Sequence, residues 1–373
     1  LINSFNQIKK LNLIHSLGDK MNILHSLKQK NIAKLLSTLS IGIVIAAASI
    51  LSPNLVSAQG TGAIKDPART KYYETFKDKR VVFVPVFMGL DLTEGWSSVM
   101  SQQANRLGYK YEVRNANFVT SAGVQILTQL LNEDPKPNVV VVQNPDVTSY
   151  AKILKRLEDA GIYVIQLNMK SLTMTTGFAG ADATRIGETQ ANWVVEQCGS
   201  STSQKIMILN GPTTAPWTVY MQDGYNKVLE KNPNIKVVAR QSIGNYESSK
   251  AKSITEVTIK QHPDLCAIMG VWDIPDLATA SAVKDAGKTG KILVSSSGGG
   301  GEVACKGLQT GAFDHYVSYD VPGQSRDVNA LIQMALQSPE KPGKLQVALY
   351  TPLFVYTQKD ASTHSCWSLE TLK

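Results

Sequence analysis

Four consecutive valines, Val139 to Val142, read as a strand buried on both faces. Gln143, Asn144, Pro145 and Asp146 follow as a polar turn. Tyr150, Ile153, Leu154 and Leu157 are then spaced to share one face of a helix, and Gly161 stands where a helix C-terminus favours glycine. A second apolar run, Ile162 to Leu167, ends at Asn168. This strand–helix–strand unit is long enough for a right-handed parallel crossover. Open parallel sheets bind ligands at the carboxyl ends of their strands, where Asn144 and Asn168 stand.

The same alternation runs in both directions. Upstream come a strand at Arg80–Phe87, a helix at Trp96–Leu107 closed by Gly108, a strand at Tyr109–Arg114 and a helix at Val119–Leu131. Downstream, a short strand at Thr176–Ala179 leads into a helix at Thr184–Cys198. Strands near 205, 235, 266, 292 and 315 then alternate with helices, and an extended segment spans Val347–Tyr356. Two successive alternating runs in 373 residues predict two similar α/β lobes rather than one barrel.

The first 58 residues read as a leader. Lys28, Lys30 and Lys34 precede an apolar run from Leu35 to Leu51, which is shorter than the roughly 20 residues of a membrane span. Val56-Ser57-Ala58 fits a signal-peptidase site, which predicts cleavage before Gln59 and an exported product, with Met21 as the start. Residues 1–20 then read as upstream sequence or an extended leader, and residues 59–79 as a polar arm. The formal charge of +8 is mostly the leader's: residues 59–373 hold 32 basic and 29 acidic side chains. With no basic stripe, nucleic-acid binding has no electrostatic support. Cys198, Cys266, Cys305 and Cys366 are an even set in an exported chain, predicting two disulfides with three possible connectivities and no zinc pattern. No metal or cofactor motif occurs; Gly298–Gly301 lacks the Lys-Ser/Thr of a phosphate loop, and no Ser or Cys sits in a nucleophile elbow, so the chain does not read as an enzyme.

Several segments, in order, resemble the ribose- and galactose-type substrate-binding proteins of bacterial ABC importers: ANRLGYKYEV from Ala104, NPDVTSYAKILKRLEDAGIYVIQLN from Asn144, and HPDLCAIMGVWDIPDLATASAVKDAG from His262. The resemblance covers residues 80–356. It implies a type I periplasmic binding fold, two Rossmann-like lobes with three hinge crossings, near Gln166–Lys170, Val317–Val321 and Pro352–Tyr356. The N-terminal lobe would be 59–166 plus 321–350, and the C-terminal lobe 168–318 plus 353–373. In that second lobe Cys198 ends a helix and Cys266 begins a strand, both at the edge remote from the cleft, which leaves Cys305 with Cys366 of the tail and predicts disulfides 198–266 and 305–366.

A sugar needs flat aromatic surfaces for its ring and fixed donors and acceptors for its hydroxyls. The candidates are Asp91, Trp96, Asn144 and Asn168 in the first lobe, Trp217, Trp272 and Asp273 in the second, and Tyr319 and Asp320 at the hinge. Trp272-Asp273 matches the family's Asn/Phe-Asp pair, making Asp273 the expected main polar contact. Asn144 matches the family's Asn-Pro turn; as a bare helix cap it would need no ligand, but Asp146 reads as the better cap and frees it. Asp320 falls where the family places a hinge Gln or Asn. The chain departs from the pattern where many relatives have Asp-Arg (here Asn168-Met169), at a common Arg (here Val219, or Trp217 beside it), and at Gly-Phe-Asp (here Ser295-Ser296-Ser297). The expected site is therefore less charged and richer in Trp. The resemblance implies a monomeric periplasmic receptor that hands a neutral monosaccharide, sugar alcohol or cyclitol to an ABC permease. The alternatives are a sensor docking on a membrane kinase or chemoreceptor, and an aromatic cage for a quaternary ammonium.

Overall fold

The computed structural model describes residues 66–363 and 365–372. The leader, its start and its cleavage site lie outside the described residues. Among the described residues no helix is long and apolar enough to cross a membrane.

In chain order, β1 (Arg80–Val84), α2 (Asp91–Leu107), β2 (Lys110–Val113), α3 (Thr120–Asn132), β3 (Val139–Val142), α4 (Ala151–Asp159), β4 (Tyr163–Leu167) and β5 (Gly177–Gly180) build the first lobe behind a leading helix α1 (Pro67–Phe76). The second lobe holds α5 (Ala183–Gln197), β6 (Lys205–Asn210), α6 (Pro216–Leu229), β7 (Lys236–Ser242), α7 (Ser248–Gln261), β8 (Ala267–Met269), α8 (Asp273–Asp285), β9 (Leu293–Gly298), α9 (Glu302–Gln309) and β10 (His315–Ser318). Then α10 (Val321–Gln337) and β11 (Val347–Tyr350) return to the first lobe, and β12 (Phe354–Thr357) joins the second.

The sheet orders are β11-β5-β4-β3-β1-β2 and β12-β10-β9-β8-β6-β7. All pairings are parallel except β10–β12. The valine run is the centre of the first sheet, with Val81 opposite Val139 on one side and Tyr163 opposite it on the other. Successive side chains of a strand face opposite ways. Val139 and Val141 thus join the core under α2 and α10, while Val140 and Val142 join a second core with Leu127, Leu130, Leu154 and Leu157 of α3 and α4. All four are fully buried, and each stabilises the fold by about 1.5 kcal/mol or more.

Three features differ from the sequence reading. The strand at 177–180 belongs to the first sheet, pairing Ile165 with Gly177 on one side and Val347 with Gly177 on the other. The first crossing therefore falls at 181–182, not at Gln166–Lys170, and residues 168–180 belong to the first lobe. The cause is the connection 168–176, which returns the chain beside β4 without a helix. The extended segment from Val347 is two strands in two sheets, with the third crossing at 351–353; the second lies at Tyr319–Asp320. The expected polar arm contains α1, started by the Asp66 cap and Pro67, with Phe76 fully buried and the Tyr72 hydroxyl donating to Gln333 of α10 at 2.7 Å. Disulfides join Cys198 to Cys266 and Cys305 to Cys366, both within the second lobe or its tail.

Candidate functional site

At the carboxyl ends of both sheets the lobes enclose a cavity of about 40 Å³, lined by Phe87, Leu92, Gln143, Asn168, Met169, Trp217, Tyr246, Trp272 and Tyr319. Phe87 follows β1, Gln143 follows β3, and Asn168-Met169 follows β4. From the other lobe, Trp217 stands in the first turn of α6, Tyr246 in the β7–α7 loop, Trp272 at the N-cap of α8 and Tyr319 directly after β10. The lobes meet here: Phe87 and Trp272 ring centroids lie 6.0 Å apart, and the Val147 amide donates to the Thr214 carbonyl at 3.1 Å. Trp217 stands edge-on to Tyr319 at 5.0 Å, and Tyr246 edge-on to Trp272 at 5.7 Å. Such pairs fix the ring planes and leave faces for an apolar ring.

The rim of the first lobe is held by buried amides. Asn144 donates from Nδ2 to Gln166 Oε1 and to the Met169 carbonyl, both at 2.8 Å. Gln166 in turn holds the 171–175 segment through the Ser171 amide, the Thr173 carbonyl and the Thr175 hydroxyl. Asn168 adopts a left-handed φ of 59°, a conformation that Asn tolerates better than most residues, and its Oδ1 accepts from Gln324 Nε2 at 3.1 Å. Gly180 makes this possible, because a Cβ there would lie 2.7 Å from the Asn168 Cα.

Of the nine candidates named from sequence, Asn168, Trp217, Trp272 and Tyr319 line the cavity. Asn144 does not, being fully buried and committed to the rim network. Asp146 caps a tight turn through the Thr148 and Ser149 amides rather than α4. Trp96 is fully buried in the first lobe's core, because α2 begins five residues earlier than its spacing suggested and turns this side chain inward. Asp91 is exposed in the first turn of α2 and lines a neighbouring outer pocket with Trp272, Asp273 and Trp367. Asp320 is the N-cap residue of α10 with φ 52°, outside the cavity.

Asp273 opens α8 but turns its carboxylate away from the cavity to accept from the Tyr316 hydroxyl at 2.7 Å. Burial pushes its pKa from 3.8 up to about 7, with Asp91 adding to the rise and the Tyr316 hydrogen bond opposing it. Below it, burial raises Asp276 further, against a 2.6 Å hydrogen bond from the Ser296 hydroxyl. Phe87, Leu92, Gln143, Met169 and Tyr246 were not among the candidates. Gln143 and Tyr246 each follow a strand, a signal the sequence carried; Phe87 read as the last residue of the strand from Arg80, whereas β1 ends at Val84.

Among the described residues no cluster of His, Cys, Asp or Glu is placed to hold a metal ion. The Periplasmic binding protein domain family matches residues 81–340. The D-ribose/D-allose-binding protein of Pseudomonas aeruginosa is 21% identical over 239 residues, covering 61% of this chain and 73% of that protein. The galactofuranose-binding protein YtfQ of Escherichia coli is 27% identical over 217 residues, covering 55% and 67%. Among solved structures, an ABC transporter solute-binding protein of Burkholderia graminis in complex with D-arabinose aligns with a TM-score of 0.68 at 22% identity over 78% of this chain and 99% of that one. The Caulobacter myo-inositol binding protein aligns with a TM-score of 0.68 at 19% identity, over 77% and 95%. These structural likenesses bear on the fold, which they share through both lobes. With the matched region running from the first strand through α10, this chain belongs to the periplasmic binding protein domain family.

Proposed function

We propose that the protein is a periplasmic receptor that captures a small neutral polyhydroxylated ligand, a monosaccharide, sugar alcohol or cyclitol, between its lobes and delivers it to an ABC permease without chemically changing it. The observation that carries this reading is the cavity itself: rings from both lobes around two neutral amides, Gln143 and Asn168, with no charged side chain in the lining. Relatives named for ribose, allose and galactofuranose, and solved neighbours holding D-arabinose or myo-inositol, support a sugar-like ligand. The cavity has room for about three waters, so a sugar ring enters only when the lobes part at the crossings.

Thermal denaturation with a panel of pentoses, hexoses, their alcohols and inositols tests it. Ligand that binds only the folded state raises the melting temperature by mass action, so at least one neutral member is expected to raise it in a concentration-dependent way. The second reading, a quaternary-ammonium cage, is favoured by Phe87, Trp217, Tyr246, Trp272 and Tyr319 standing together. It wins if betaine or choline raises the melting temperature while every neutral polyol leaves it unchanged.

A further inference from the structure

Three oxygens of the cavity-lining residues Gln143, Asn168 and Met169 are already in use. Gln143 Oε1 accepts from the Val86 amide at 3.2 Å; only the oxygen can do so, which fixes the orientation of this side chain. Asn168 Oδ1 accepts from Gln324 at 3.1 Å. The Met169 carbonyl takes two donors from Asn144, the backbone amide at 3.2 Å and Nδ2 at 2.8 Å. What the lining residues keep without a protein partner, among the described residues, is the opposite set. Gln143 Nε2, Asn168 Nδ2 and the indole N–H groups of Trp217 and Trp272 can only donate; the Tyr246 and Tyr319 hydroxyls can act either way.

We infer that this cavity selects a ligand richer in hydrogen-bond acceptors than in donors: a small sugar-derived ring bearing a carbonyl, such as an aldonolactone or a keto-cyclitol. This rests on the reading of the cavity as the ligand site. The physical reason is an asymmetry. Each hydroxyl of a fully reduced polyol brings a proton that must find an acceptor once buried, and a buried donor left unpaired is costly. A carbonyl brings two lone pairs and no proton, and matches amide and indole N–H groups directly. Unpartnered amide and indole N–H groups carry positive hydrogens, which disfavours a cationic ligand despite the surrounding rings.

The test is isothermal calorimetry of the purified protein with matched pairs: D-ribono-1,4-lactone against D-ribose, D-galactono-1,4-lactone against D-galactose, and myo-inosose against myo-inositol. At least one carbonyl member is expected to bind tenfold or more tightly than its reduced or hemiacetal partner. Gln143→Glu keeps an oxygen for the Val86 amide and replaces the free donor by an acceptor, and is expected to reduce that preference at least tenfold. Trp272→Phe keeps the ring and removes the N–H; it provides the same readout if the glutamate variant fails to fold. Equal or tighter binding of the reduced partners across all pairs overturns the inference and leaves the sugar reading standing. A preference unchanged in a folded variant also overturns it. Binding of betaine, with no member of any pair bound, overturns both.

Discussion

Asp273 shows how far a side chain's role departs from its place in a motif. It directly follows the cavity residue Trp272, yet its carboxylate is spent on Tyr316 and is buried. Its folded pKa, about 7, lies above the 3.8 of an exposed group, so the folded state binds the extra proton and stability falls as pH rises through that interval. Asp276 contributes with the same sign. His315, buried against Trp193 with its Nδ1 2.9 Å from the Ser295 hydroxyl, is pushed from 6.5 down to about 4 by burial, so the stability it contributes as a neutral ring is lost as pH falls through that range. The two effects oppose each other. Chemical denaturation is expected to show Asp273→Asn gaining stability over the parent as pH rises, by up to about 1.4 kcal/mol per pH unit, and His315→Gln gaining as pH falls. Parallel stability curves would mean that neither group titrates abnormally. The sequence placed Trp272 and Asp273 together at a strand end, but which neighbour faces the cavity depends on where α8 starts, and a residue string does not carry that rotation.

The elements were more legible than their ends. Alternating apolar runs and helix-period stretches located both sheets, because burial on two faces leaves a continuous valine or isoleucine signature. The start of α2 was missed inward: the helix begins at Asp91, before the apolar stripe that Trp96 opens, and Asp91 and Glu94 suit the positive end of its first turn. The allotment of β5 to a sheet was illegible for another reason: its four residues, two of them glycine, are a weak strand signature, and the pairing partner on its outer side, β11, lies far away in sequence. Glycine also sets how α5 and α6 pack. A Cβ on Gly187 would run into the Met221 carbonyl oxygen, and one on Gly224 into the Thr184 carbonyl oxygen, so the two backbones touch. Gly187→Ala must push these helices apart, and a loss of roughly 1–3 kcal/mol is expected in urea unfolding. An unchanged midpoint would mean the helix pair adjusts without strain.

At the scale of the molecule, the tail spans both lobes. Cys366 ties it to α9, Trp367 donates to the Gly299 carbonyl at 2.8 Å, and the same ring lies against Gly95 of α2 along with Leu372. Gln102 of α2 donates to the Leu372 carbonyl at 2.5 Å. On the hinge side, Lys170 reaches from the first lobe to within 4.8 Å of the Tyr220 ring centroid in the second. Trp367→Ala removes one clasp, and small-angle scattering of the unliganded variant is expected to give a larger radius of gyration than the parent; identical curves would place the tail outside the opening equilibrium. The pairing of Val347 with Gly177 has a consequence for how the chain is made. Until residue 347 emerges from the ribosome, β5 is an open sheet edge beside an otherwise finished first lobe. A product truncated before β11 would keep that edge for good, a template on which a second truncated copy can add its own strand. Shortened forms of this protein are therefore expected to fail by aggregation rather than by simple loss of stability.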